Sequence, residues 1–236
     1  MEEALIAVQE CGDSGLIVYA ESSDRIAAWT CIHNLSDCLW MIEPDGLRGL
    51  IPTYDRILVE FDCSVVDYDV LRDRILAVAR GSDLTRARPT PHTFEVPVVY
   101  GGTHGPDLAY VAGHLGTTES KVVEVHSSGP LIVRCLGAPA GSPMMDGPPF
   151  EKSIPRLASP RLSVPSGSVA VAGRQAVVSP TPSPGGWAVI GRTPLQIIDI
   201  TADPLVPYRP GDVFRFVPIQ ADDWDHYSGP LQAAVA

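Results

Sequence analysis

This chain of 236 residues is short of positive charge: 17 Lys and Arg stand against 28 Asp and Glu, a formal net charge of -11. Holding a phosphate backbone or an anionic membrane surface takes clustered cations, so neither nucleic acid nor a membrane is expected as a partner. Cysteine is scarce as well. There are 5 residues, an odd number with no C-x-x-C pair, which argues against a disulfide framework and for a reducing compartment. No apolar run reaches the length of a membrane span. Glu2 and Glu3 stand where a basic n-region would be, so no signal peptide is expected and the cytoplasm is the expected location. Familiar catalytic signatures are also missing. There is no G-x-S-x-G elbow, no phosphate loop of the G-x-x-x-x-G-K type and no dinucleotide fingerprint. The histidines His33, His92, His104, His114, His126 and His226 are scattered, and none has the spacing of a helical zinc pair. No metal site is expected.

What is present is enough apolar sequence, 45%, for one large or two small domains. Proline marks two halves. Of 23 prolines only Pro44, Pro52, Pro89 and Pro91 precede Pro97. The first half reads as mixed α and β: strands at 5–8 and 15–19, a helix behind Asp24, a hairpin of 47–53 and 56–61, and a helix from Asp67 to Gly81. Residues 85–91, T-R-A-R-P-T-P, form the linker, with the boundary between 84 and 91. The second half reads as mostly β. A strand at 93–100 precedes two short helices, one stopped by Gly116 and one capped by Thr117. Strands follow at 131–136, 168–172, 175–179, 187–191, 195–200 and 213–219. The tail after 220 carries Asp222, Asp223 and Asp225 with no cation, and is expected to be loose.

Three features point to chemistry. The run S-P-G-G-W-A-V-I-G-R-T-P at 183–194 sets a constrained turn before a large aromatic and a cation, which is how a pocket wall is built. Gly185, Gly186, Trp187 and Thr193 are expected to line that pocket. Arg192 is the first choice for gripping a carboxylate or phosphate with both arms of its guanidinium. Alternation places Arg192 opposite Trp187 unless the strand breaks near Gly191. The small-residue segment 136–147 can offer free backbone N–H groups to an oxyanion, with Asp146 as a base or as a turn cap. His126, at the end of a helix, is a third candidate for catalysis, against a purely structural reading.

The order of motifs V-P-S-G-S-V-A-V-A-G-R-Q at 164–175, the run at 183–194 and P-G-D-V-F-R-F-V-P-I at 210–219 resembles the family of the 5-oxoprolinase B subunit. That family also takes in the allophanate hydrolase subunit 1 type and the sporulation-kinase inhibitor of the Kip type. G-D-S at 12–14, V-Y-G-G at 99–102 and G-P-D-L at 105–108 extend the match to essentially the whole chain up to about residue 220. The resemblance implies an α+β fold: an N-terminal α+β domain at 1–88, a cyclophilin-like β-barrel at 89–220 and a tail at 221–236. It implies a related barrel protein, like the 5-oxoprolinase C subunit, as partner. It also implies ATP-dependent opening of a small carboxylated metabolite with a third subunit.

The sequence departs from the family pattern in its aromatic loop. G-F-x-P-G-F-x-Y-L is G-A-P-A-G-S-P-M-M here, with Ala138, Ser142 and Met144 at the two Phe positions and the Tyr. Q-T-G-I-Y-P is Q-A-V-V-S-P at 175–180, and R-S-L is D-R-I at 55–57. Gln175 and Met144 are therefore expected beside a pocket whose lining has changed. Two other readings stay open: a biosynthetic enzyme re-lined for a less polar substrate, because small side chains and Met soften a cavity, and a non-catalytic regulator of a kinase or partner subunit. An apolar surface for the partner is expected around the strand at 169–172.

Overall fold

The computed structural model describes residues 4–234 and divides the chain into two compact units, residues 1–89 and 90–236. Glu2 and Glu3, on which the signal-peptide reading rests, lie outside the described residues. No described helix is long and apolar enough to cross a membrane.

The N-terminal unit runs β1 (Leu5–Glu10), β2 (Gly15–Glu21), α1 (Arg25–Ile42), β3 (Leu47–Pro52), β4 (Arg56–Phe61) and α2 (Tyr68–Gly81). Its antiparallel sheet has the order β1-β2-β4-β3. Alternate residues Leu16, Val18, Ile57 and Val59 face the helices and are fully buried with Ile32, Leu35, Leu71 and Ile75. Asp24 caps α1, accepting from the N–H groups of Ile26 and Ala27. Asp67 precedes α2 but makes no such bond.

The second unit continues with β5 (Thr93–Tyr100), α3 (Leu108–Leu115), α4 (Glu119–Ser127), β6 (Leu131–Gly137), β7 (Ser142–Asp146), β8 (Arg161–Val164), β9 (Ser168–Ala172), β10 (Gln175–Val178), β11 (Ser183–Gly185), β12 (Ala188–Arg192), β13 (Leu195–Gln196), β14 (Val213–Pro218) and β15 (Gly229–Pro230). Seven of these close a barrel in the order β10-β7-β6-β14-β5-β12-β9, in which β14 and β5 are the parallel pair. The interior takes one residue in two from each strand, among them Phe94, Val96 and Val98 of β5, Phe214 and Phe216 of β14, and Val169 and Val171 of β9. Leu108, Val111 and Val122 of the two helices join this core.

Several expectations need correction. Thr118, not Thr117, caps α4, and its hydroxyl accepts from the Lys121 N–H. The strand expected at 195–200 is only Leu195–Gln196. Strand β9, expected to offer an apolar edge, is paired on both sides, with β10 and β12, and wholly buried. Barrel closure leaves no edge there for a partner. The acidic tail is also tied down: Trp224 packs against His104, β15 pairs with β13, and Leu231 is buried. The tail's apolar residues, spaced among the aspartates, supply these anchors.

The shared motifs have a common structural reason. G-P-D-L lies backbone to backbone on β12. A Cβ at Gly105 would sit 2.0 Å from the carbonyl oxygen of Ile190, so only glycine allows the approach. Asp107, buried, forms a two-pronged ion pair with Arg161 (2.8 and 2.7 Å) and accepts from the Val189 N–H at 2.7 Å. The Asp of P-G-D, Asp212, is 1% exposed and accepts from the N–H groups of His92 and Arg209.

Candidate functional site on the outer face of the barrel

The outward residues of β7, β10 and β12 gather most of the expected site. Gln175 pairs directly with Asp146, so the two side chains share one face. Two positions along each strand, Met144 and Val177 follow on that same face. Arg134, on β6, donates its Nε to Asp146 Oδ2 at 2.6 Å. Arg134 is nearly sealed while Asp146 is 45% exposed, so the pair presents a carboxylate anchored from beneath. Farther along, Trp187 and Val177, both half-buried, pack on Val164, Ala170 and Val189, beside the ribbon formed by β8 and β11. Gly186 is held there: its carbonyl accepts from Leu157 N–H. Gly185 lies against Val164.

Arg192 is reached through an irregularity. The register of β12 against β9 shifts between Val189 and Gly191. A Cβ on Gly191 would meet the side chain of Val98, a core residue, so Gly191 faces inward although Val189 faces outward. The bulge thus returns Arg192 to the outer face, the condition that simple alternation left unmet. The Arg192 Nε donates to the Ser166 carbonyl at 2.8 Å, and its guanidinium lies over the Trp224 ring at 5.3 Å. The Nε edge of the fork is therefore occupied. Thr193 is 2% exposed and bonded to Gly167 and Leu195, a turn residue without access to a ligand.

Two further expectations fail on geometry. Segment 136–147 is the β6–β7 hairpin, with Ala140 and Gly141 at positive φ in its turn and Ser142 bonded back to Pro139. The flanking strands pair with each other from Val133↔Met145 to Gly137↔Ser142, so the segment is a paired hairpin rather than an open loop. His126 is completely buried, its Nδ1 hydrogen-bonded to Tyr100 Oη at 2.7 Å and its ring packed on Phe216. Its Nε2 has no partner. Burial pulls its pKa down to about 3 and pushes the Tyr100 hydroxyl up. A sealed neutral imidazole cannot exchange protons with a substrate, so His126 belongs to the core. Its i,i+4 relation to the apolar Val122 was the sequence signal for this. Among the described residues no cluster of three or more His, Cys, Asp or Glu could hold a metal ion.

The buried His126 gives a pH prediction. Its folded pKa lies below the ordinary 6.5, so the unfolded chain binds the proton first. Stability is whole above pH 6.5 and falls as the pH drops from 6.5 towards 3, by up to about 1.4 kcal/mol per pH unit. Chemical unfolding at pH 7 and pH 5 is expected to show a loss of about 2 kcal/mol from this group. The His126→Phe variant is expected to lack that increment. An identical pH dependence in the variant counts against the assignment.

Comparison with known proteins accords with this architecture. The carboxyltransferase domain family, subdomains C and D, matches residues 6–208. Over 130 residues the chain is 48% identical to the B subunit of 5-oxoprolinase from Escherichia coli O157:H7, spanning 55% of this chain and 60% of that one. It is 36% identical over 157 residues to the B subunit of 5-oxoprolinase from Bacillus subtilis, spanning 66% and 63%. The matched part therefore covers less than two thirds of these relatives. The urea amidolyase of Kluyveromyces lactis shares the fold with a TM-score of 0.76 at 17% identity, over 98% of this chain and 16% of that one. With barrel, motifs and match in agreement over most of its length, the chain belongs to the carboxyltransferase subdomain C and D family, among relatives named as the B subunit of 5-oxoprolinase.

Proposed function

We infer that this chain is a 5-oxoprolinase-type subunit that works with a related barrel protein on a small carboxylated lactam or amide, in an ATP-dependent hydrolysis. The observation that carries this reading is the 48% identity to a protein named as the B subunit of 5-oxoprolinase. The outer barrel face supports it. Asp146 has one oxygen fixed by Arg134 and the other available to accept from a lactam N–H. Gln175 stands opposite on the same face, to which Trp187 and Met144 give apolar surface. Arg192 keeps its terminal nitrogens for an anion while Ser166 and Trp224 hold the side chain still. The phosphoryl chemistry of ATP then falls to the wider assembly, and positioning of the polar substrate to this face.

Mutation of Asp146 tests the reading. Asp146→Ala is expected to lower 5-oxoproline-dependent ATP hydrolysis in the assembled system by about 100-fold, the scale of a lost positioned acid–base or orienting group. The change is also expected to lower stability by about 1–3 kcal/mol, because the nearly sealed Arg134 loses its 2.6 Å acceptor, so turnover is read at a temperature where both proteins are folded. Undiminished turnover in a folded Asp146→Ala protein would remove this face from the reaction.

A further inference from the structure

The N-terminal unit contains a cavity of about 820 Å³ that the barrel chemistry does not use. Small-molecule sites are typically about 300–1,000 Å³. It lies among residues 4–6, the start of α1, the end of α2 and segment 82–88, all within the first unit. The wall formed by segment 82–88 is fixed. Buried Asn34 donates its Nδ2 to the carbonyls of Leu84 and Arg86, both at 2.9 Å. Arg88 Nη1 bonds to Asp37 and to Asn34 Oδ1. The cavity is therefore preformed.

Its lining has two characters. Leu5, Ile26 and Leu76 contribute apolar surface, and Leu5 and Ile26 are 66% and 53% exposed. The charged lining sets Arg80, Arg86 and Arg88 against Asp24 and Asp83, and Asp37 behind it pairs with Arg88. The two acids already serve the backbone. Asp24 caps α1, and Asp83 accepts from the hydroxyl and N–H of Thr85, which hold its carboxyl below the usual range. Arg88 is spoken for by Asp37. Arg80 has no hydrogen bond or ion pair among the described residues, and Arg86 makes only long contacts, 3.5 Å to Asn34 and 3.8 Å to Asp37. Unspent guanidinium beside open apolar surface favours a ligand that carries one negative charge on a hydrocarbon body.

We propose that this cavity binds an amphiphilic organic monoanion, a carboxylate on a short apolar body. The site is separate from the barrel face and does not depend on the 5-oxoprolinase reading.

The test is a titration of the full-length, 15N-labelled chain followed by amide NMR shifts, with octanoate, octanol and inorganic phosphate as probes. Octanoate is expected to shift amides of residues 24–31 and 76–88 and to bind about tenfold tighter than octanol, the scale of a charge-assisted hydrogen bond. Phosphate is expected to leave those amides unmoved. Arg80→Gln, a change at an exposed residue, is expected to narrow the gap between octanoate and octanol, and Ala79→Phe to abolish both by filling the space. Equal affinity for octanol and octanoate, shifts centred on other residues, or no shift with octanoate at its solubility limit overturns the proposal from the parent protein alone, whether or not the filled variant folds.

Discussion

Gly105→Ala is expected to destabilise the barrel unit by about 3 kcal/mol or more, the upper range for forcing atoms into a packed interior. The added methyl would stand 2.0 Å from the Ile190 oxygen and 2.3 Å from its carbonyl carbon. Neither atom can yield as a side-chain tip would. The Ile190 carbonyl accepts from Gly101 N–H, and Ile190 itself lies in the barrel core. Relief therefore requires β12 to move from the G-P-D-L turn and to carry the Asp107 bonds with it. Gly113→Ala is the control: it lies inside α3 with nothing within 4 Å of its Cβ, and helix propensity predicts a small gain of about 0.5–1 kcal/mol. Denaturant unfolding of the two variants gives the comparison. A Gly105→Ala protein as stable as the parent would mean that the turn does not lie on β12.

Asp107→Ala is expected to cost about 3 kcal/mol, the scale for breaking a buried charge pair from one side. Two losses combine. Val189 N–H is left inside the protein without its 2.7 Å acceptor, and Arg161 loses both prongs of its partner. Arg161→Ala is expected to cost less, about 1–2 kcal/mol, because the Arg161 side chain is 33% exposed and Asp107 keeps its bond to Val189. Equal losses in the two variants would show that the ion pair, and not the bond to the backbone, dominates. Gly105 and Asp107 both sit in the G-P-D-L motif of the family resemblance, and both act on the scaffold. That explains how the motifs persist here beside an altered 137–145 loop.

The sequence showed the N-terminal elements plainly because hydrophobic period separates their strands from their helices. It showed β5, β9, β10, β12 and β14 for the same reason. It hid β7, β8 and β11, whose Pro, Gly and Ser content reads as loop when each strand is taken alone. These strands form only because a neighbour supplies their hydrogen bonds, and such pairing leaves little local trace. The candidate face was half legible. Gln175, Asp146, Met144 and Trp187 lie on it, but no local pattern marks Arg134 as the anchor beneath Asp146. Arg192 reaches the same side through a bulge at Gly191 that alternation alone does not announce. The Trp224 contact with Arg192 comes from a tail whose composition suggested solvent.

The most direct test of the central claim is glutamate release from 5-oxoproline in a mixture of this chain, the proposed related barrel partner, the proposed third subunit and ATP. Release is expected with all components present, is expected to stop when this chain alone is omitted, and is expected to fall to about one hundredth when Asp146→Ala replaces the parent. Full release without this chain, or none with every component folded and present, would contradict the account.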